Sequence, residues 1–113
     1  MKSAWLLRGG DVLASAEVAE SLAERVRGLA GRRGFDGAIL LTNWRGAHGC
    51  GVPFAIDVAF LDDHMVVVSV TRLRPWSTAM PRRGACHVLE APSGAFERWR
   101  LQPGDKIEIR ETG

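Results

Sequence analysis

Hydrophobic residues recur along this chain in short runs or at every second position, a pattern typical of β-strands. Residues 56–61 form an almost wholly apolar run, as expected for a central strand covered on both faces. The segment 72–84 combines prolines with arginines and is predicted to be an exposed loop or an irregular edge. Further strands are predicted at residues 5–8 and 12–19, joined by a Gly9-Gly10 turn, and at 38–42, 44–48, 65–70, 86–90 and 106–110.

One segment has a clear helical pattern. Ser21 and Glu24 have the spacing of a capping box, and Leu22, Val26 and Leu29 follow at helical spacing, so a helix is predicted over about residues 21–31. Residues 95–101 are predicted to add one or two helical turns. Many short strands with one good helix predict a mainly β fold (α+β by content), either a β-sandwich or a jelly-roll-like barrel.

Composition places the chain among ordinary globular proteins. Its 113 residues fit a single domain, 1–113, with 46% hydrophobic and 25% charged residues. The formal charge of +2 predicts no strong field for polyanions. No apolar run approaches the roughly 20 residues of a membrane span, so a cytoplasmic location without membrane contact is predicted. In that reducing compartment Cys50 and Cys86 are expected to be thiols.

Three segments resemble a known family in order and spacing. Residues 25–32 fit an Arg-x-x-Gly-Leu-x-x-Arg motif, residues 48–62 run into an Asp-hydrophobic-x-Phe strand, and residues 88–94 contain a Leu-Glu-x-x-x-Gly turn. The chain thereby resembles domain of unknown function 192, an uncharacterised bacterial and archaeal family. The resemblance implies a jelly-roll-like β fold with a helix near the N-terminus, and it implies no activity.

The resemblance also marks residues for a first candidate site. Arg32, Asp57 and Glu90 match the family pattern, whereas the two cysteines do not. Asp57 lies in the apolar run, where a carboxylate has to be paired or functional because an unpaired buried charge is costly. One interpretation is an ion pair with Arg32 that fixes the helix to the sheet. The other is a polar pocket of Arg32, His48, Asp57 and Glu90, where Arg32 binds an anion and a carboxylate acts as acid or base.

Metal and thiol chemistry receive weaker support from the sequence. His48 and Cys50 are two residues apart, so in a strand both side chains point to one face, and both are residue types that bind zinc. Cys86 and His87 are adjacent and would point to opposite faces. We therefore predict no metal centre and no cofactor, with His48 and Cys50 as a weak metal candidate.

The arginine-rich segment is the second candidate region. Arginine and tryptophan are common at interfaces, and this segment is predicted to be either a solvated loop or a contact for a protein or anionic partner, without sequence-specific nucleic-acid binding. The residues of this candidate interaction loop are Arg72, Arg74, Trp76, Arg82 and Arg83.

Three functions follow from these candidates. The first is a non-enzymatic binding or accessory module. The second is a small-molecule or carbohydrate enzyme or binder centred on Asp57, Glu90, His48 and Arg32. The third is a component of a protein assembly that uses the segment 72–83.

Overall fold

The protein is built mainly of β-strands, as the computed structural model describes them for residues 1–29, 35–45, 47–48, 52–79 and 82–112. No helix of these residues is both long and apolar enough to cross a membrane. The strands are β1 (Lys2–Arg8), β2 (Asp11–Ala19), β3 (Ala38–Leu41), β4 (Ala47–His48), β5 (Ile56–Leu61), β6 (Val67–Leu73), β7 (Thr78–Ala79), β8 (His87–Pro92) and β9 (Glu108–Glu111), and the helices are α1 (Leu22–Arg27) and α2 (Ala95–Trp99).

Seven strands form one sheet in the order β6-β5-β8-β3-β2-β1-β9, and β4 pairs separately with β7. Neighbours are antiparallel except β2 and β3, which run parallel. The two ends of the sheet meet at a bridge between Val66 and Lys106. Next to it the Val67 N–H donates to the Asp105 carbonyl over 2.8 Å, and the Ile107 N–H donates to the Met65 carbonyl over 3.0 Å. The predicted mainly β fold is confirmed, and it takes the form of a partly closed barrel.

The sheet carries a separate hydrophobic core on each face. All six residues of β5 are buried, as the apolar run predicts, and they alternate between the two cores. We call the core that contains α2 the inner core and the other the outer core. The inner core includes Leu6, Val18, Leu40, Ala59, Leu89, Phe96 and Ile107, and the outer core includes Leu29, Ile39, Val58, Phe60, Leu73 and Val88.

Helix α1 has the predicted capping box but is shorter than predicted. The Ser21 side chain accepts from the Glu24 N–H over 3.1 Å, and the Glu24 carboxylate accepts from the Ser21 N–H over 3.2 Å. The helix ends at Arg27, not near residue 31, because Gly28 takes a positive φ of 45° and its N–H donates to the Glu24 carbonyl. Residues 30–34, which include Gly31 and Gly34 around the predicted helix end, lie outside the described residues.

The segment 72–84 is more ordered than the loop predicted for it. Strand β6 runs on to Leu73 because this side chain is buried opposite Ile56, so Arg72 belongs to the sheet. After a turn, β7 pairs with β4 through Ala79 and Thr78. Part of this segment therefore belongs to a second, two-stranded sheet.

Gly37 marks a close approach between β2 and β3. Its φ is 79°, and a Cβ built on it would lie 2.3 Å from the Ser15 carbonyl oxygen. Gly104 has a similar φ of 95°, but nothing lies within 4 Å of a Cβ at that position. Gly37 therefore combines a positive φ with a close steric contact, whereas Gly104 has the positive φ alone.

We expect Gly37→Ala to destabilise the fold by about 3 kcal/mol, since it adds a backbone clash to the positive-φ cost. Gly104→Ala should cost only about 1 kcal/mol, which is the conformational part alone. Urea unfolding of both variants measures the difference. Equal losses of stability would contradict the close approach of the two strands.

Candidate functional site

Asp57 is buried in β5, and each of its carboxylate oxygens accepts a hydrogen bond. Oδ1 accepts from Arg72 Nε over 3.0 Å, and Oδ2 accepts from the N–H groups of Gly94 and Phe96 over 2.9 and 3.1 Å. Gly94 is the N-cap of α2 and has no side chain with which to cap the helix. Asp57 therefore supplies the cap from a neighbouring strand and ties α2 to the sheet.

Glu90 is the other buried acid, and its surroundings are different. It lies in β8 between Ile39 of β3 and Val58 of β5, on the face of the outer core. Within the described residues it has no hydrogen-bond or ion-pair partner. Burial raises the pKa of Glu90 to about 7.

The end of α1 lies directly over Glu90. A Cβ on Gly28 would lie 3.9 Å from Glu90 Oε1 and 3.7 Å from the Arg25 carbonyl oxygen. The Arg25 Nε atom is also buried and has no hydrogen-bond partner among the described residues. The family motif that begins at Arg25 thus places its helix end against the buried acid.

The structure does not bring the predicted polar pocket together around both acids. Asp57 pairs with Ala91 in the ladder and Val58 pairs with Glu90, so the two carboxylates project from opposite faces of the sheet. Asp57 contacts Arg72 where Arg32 was the expected partner, because β6 runs beside β5 in this register. Arg32 lies outside the described residues, and His48 belongs to β4, away from the seven-stranded sheet.

The weak metal candidate of His48 and Cys50 includes a residue outside the described ones, whereas the structure describes the adjacent pair Cys86 and His87. The His87 Nδ1 atom accepts from the Asn43 N–H over 3.0 Å, and burial lowers the pKa of this imidazole. Cys86 carries a free thiol, as expected, while Cys50 lies outside the described residues. Among the residues that the structure describes, no group of three or more His, Cys, Asp or Glu side chains could hold a metal ion.

Three of the five residues of the predicted interaction loop line one cleft of about 400 Å³. Arg72, Arg74 and Arg82 surround it, and we call it the arginine cleft. The Arg72 side chain is 54% exposed even though its Nε atom is bound to Asp57. Trp76 and Arg83 are exposed outside its lining. The remaining lining residues, which the sequence did not single out, are Thr71, Leu73, Ser77, Thr78 and Ala79.

The arginine cleft has a concentrated positive charge. No Asp or Glu is among the described residues that line it, and three hydroxyl groups accompany the three guanidinium groups. Arg74 and Arg82 are exposed and make no ion pair within the described residues. Guanidinium groups and hydroxyls that line one cleft can donate several hydrogen bonds to one oxyanion.

The capping role of Asp57 predicts unequal costs for removing the two partners of its ion pair. Asp57→Ala should reduce the free energy of unfolding by about 3 kcal/mol, because it leaves two N–H groups of α2 and Arg72 without their acceptor. Arg72→Ala should cost about 1 kcal/mol, since its charge is half exposed. Urea unfolding checks both values. A loss in Arg72→Ala as large as that in Asp57→Ala would mean that the ion pair, not the cap, holds α2.

The raised pKa of Glu90 predicts that the free energy of unfolding decreases as pH rises. Between the ordinary glutamate pKa of 4.5 and about 7 the folded protein keeps a proton on Glu90 that the unfolded chain has released. Stability should therefore decrease through this window by about 3 kcal/mol and stay low above it. Glu90→Gln should flatten this decrease in urea unfolding between about pH 5 and pH 8, whereas the exposed control Glu97→Gln should retain it. An unchanged slope in Glu90→Gln would rule out Glu90 as its source.

Two solved structures share this fold. A protein of unknown function from Novosphingobium aromaticivorans superposes with a TM-score of 0.77 at 21% identity, covering 94% of this chain and 83% of that one. A Sinorhizobium meliloti protein described as a "putative transcription regulator" superposes with a TM-score of 0.80 at 22% identity, covering 96% and 92%. At these identities the likeness concerns the fold alone.

Individual relatives match about half of this chain, whereas a family model matches nearly all of it. A UPF0127 protein of Pyrococcus abyssi is 43% identical over 61 residues, which are 54% of this chain and 52% of that protein. One from Pyrococcus furiosus is 39% identical over 61 residues, 54% and 53% of the two chains. The chain thus spans about half the length of the curated relatives it matches. The family DUF192, described as "Uncharacterized ACR", matches residues 5–109, and the chain therefore belongs to this family.

Proposed function

We propose that this domain is a non-enzymatic binding module and that it holds a small molecule through an oxyanion, such as a phosphate or carboxylate group, in the arginine cleft. The observation that carries this proposal is the lining of the cleft, with three arginines and three hydroxyl-bearing side chains around about 400 Å³. The proposed compartment is the cytoplasm, where phosphorylated and carboxylated metabolites are available.

The contacts of Arg72 favour an anion over other ligands. Its Nε atom is held by Asp57 at 3.0 Å, so the guanidinium plane is oriented before a ligand arrives. Orientation in advance reduces the side-chain entropy that binding has to overcome. The terminal nitrogens of Arg72, together with Arg74 and Arg82, then remain available for a bidentate contact with an oxyanion.

The two buried acids support binding without catalysis. Asp57 has both oxygens engaged in the contact with α2 and Arg72, and Glu90 lies beneath α1 on the other face of the sheet. Neither acid lines the arginine cleft, and no His, Asp or Glu of the described residues does. A general acid or base within reach of a ligand is therefore lacking among these residues.

Titration calorimetry with pyrophosphate and citrate tests the proposal. The unaltered protein should bind one of them with an affinity that falls as salt is added, because the contacts are ionic. The double variant Arg74→Gln/Arg82→Gln should weaken binding by about a hundredfold, since each charged hydrogen bond contributes about 1.5 kcal/mol.

Arg83→Gln is the matched control. It removes one positive charge from the same segment, where the double variant removes two, and it lies outside the lining. Its affinity should therefore stay within about threefold of that of the unaltered protein. Equal losses in Arg83→Gln and the double variant would show attraction by net charge and contradict a built site. Absence of binding to both anions, together with capture of acidic peptides through Trp76, would favour the alternative of a protein-interaction component.

A further inference from the structure

A second cavity, of about 710 Å³, opens to solvent near the seam where β6 approaches the segment before β9, and its floor is formed by the inner face of the sheet. Several of its lining residues also belong to the inner core. No Phe or Trp lines it among the described residues. A cavity of this size is typical of small-molecule sites. The aliphatic side chains that line it are Val18, Leu40, Met65, Ile107 and Ile109.

The charged groups around this cavity are mainly carboxylates. Glu20, Glu108 and Glu111 line it, against a single lysine, Lys106, and the imidazole of His64. The lining of this cavity is therefore opposite in charge to that of the arginine cleft. Glu108 is already paired with Arg110 at 3.3 Å, so Glu20 and Glu111 are the carboxylates that meet a cation here. An apolar interior with an acidic rim fits a ligand that has a hydrocarbon body and a cationic end.

Two of the carboxylates already hold an ammonium group between them. Lys2 Nζ lies 2.9 Å from Glu20 Oε1 and 3.5 Å from Glu111 Oε1. The Lys2 side chain is 57% exposed, so this pairing contributes little to stability and can be exchanged. The hydrogen bond to Glu20, followed by the charge of Glu111, raises the pKa of Lys2, in line with a rim that favours an ammonium.

We infer that this cavity binds an aliphatic amine, with the hydrocarbon chain against Leu40, Met65 and Ile107 and the ammonium group between Glu20 and Glu111. The ligand ammonium takes the position that Lys2 occupies between the two carboxylates. This site is independent of the arginine cleft, because the two cavities share no lining residue and have opposite charge.

Three probes of equal chain length test the inference: octylammonium, octanol and octanoate. Chemical-shift titration at neutral pH should give the tightest binding for octylammonium, about fivefold tighter than octanol, with octanoate the weakest. Glu20→Gln/Glu111→Gln should bring octylammonium to the affinity of octanol and leave octanol itself unchanged. Equal or tighter binding of octanoate would overturn the inference.

A variant that fills the cavity with a larger side chain tests whether the probes bind there. Ile109→Trp places a larger side chain in the cavity and should abolish binding of all three probes, while pyrophosphate titration of the arginine cleft stays as in the unaltered protein. A thermal melt verifies that the variant folds, and Met65→Phe takes its place if it does not. Octylammonium binding that persists in a folded filling variant would place the ligand elsewhere and overturn the inference.

Discussion

Burial of the central strands on both faces is the constraint on which the rest of this structure depends. Every residue of β5 and the four inner residues of β8 are buried, so any acid in these strands loses its water. Asp57 and Glu90 meet this constraint in different ways. Three hydrogen-bond donors satisfy the carboxylate of Asp57. Glu90 has no such donors among the described residues, and burial raises its pKa. The inner face is thereby fixed by hydrogen bonds, and the outer face contains a group whose charge depends on pH.

Features that depend on neighbouring residues could be predicted from the sequence. Strand β5 was predicted with its exact bounds, 56–61, because a doubly covered strand is an uninterrupted apolar run. The Ser21–Glu24 capping box and the Gly9-Gly10 turn were found for the same reason, since each depends on residues within four positions. Helix α1 ends several residues before its predicted end, because Gly28 ends it and the sequence has two further glycines, Gly31 and Gly34, in the same stretch.

Features that depend on strand register could not be predicted in this way. Arg32 and Arg72 offer Asp57 the same chemistry, and only the pairing of β5 with β6 places Arg72 beside it. The cavity of about 710 Å³ combines segments that are separate in the sequence, whereas the lining of the arginine cleft comes from residues 71–82 alone and overlaps the predicted interaction loop. The net charge of +2 hid their contrast as well, because a cationic cleft and an acidic rim nearly cancel in the sum. The Gly94 N-cap, which lacks a side chain, was the one local signal that a distant acceptor was needed.

The position of β1 between β2 and β9 has a consequence for biosynthesis. Trp5 pairs with Arg110, so β1 obtains one of its two partner strands only after β9, about a hundred residues later, has been made. The bridge from Val66 to Lys106 has the same requirement. The barrel therefore cannot close before β9 has been translated, and its inner face stays open to other proteins until then. In this topology, hairpins such as β1–β2 and β5–β6 can form early, whereas closure of the barrel has to wait for β9.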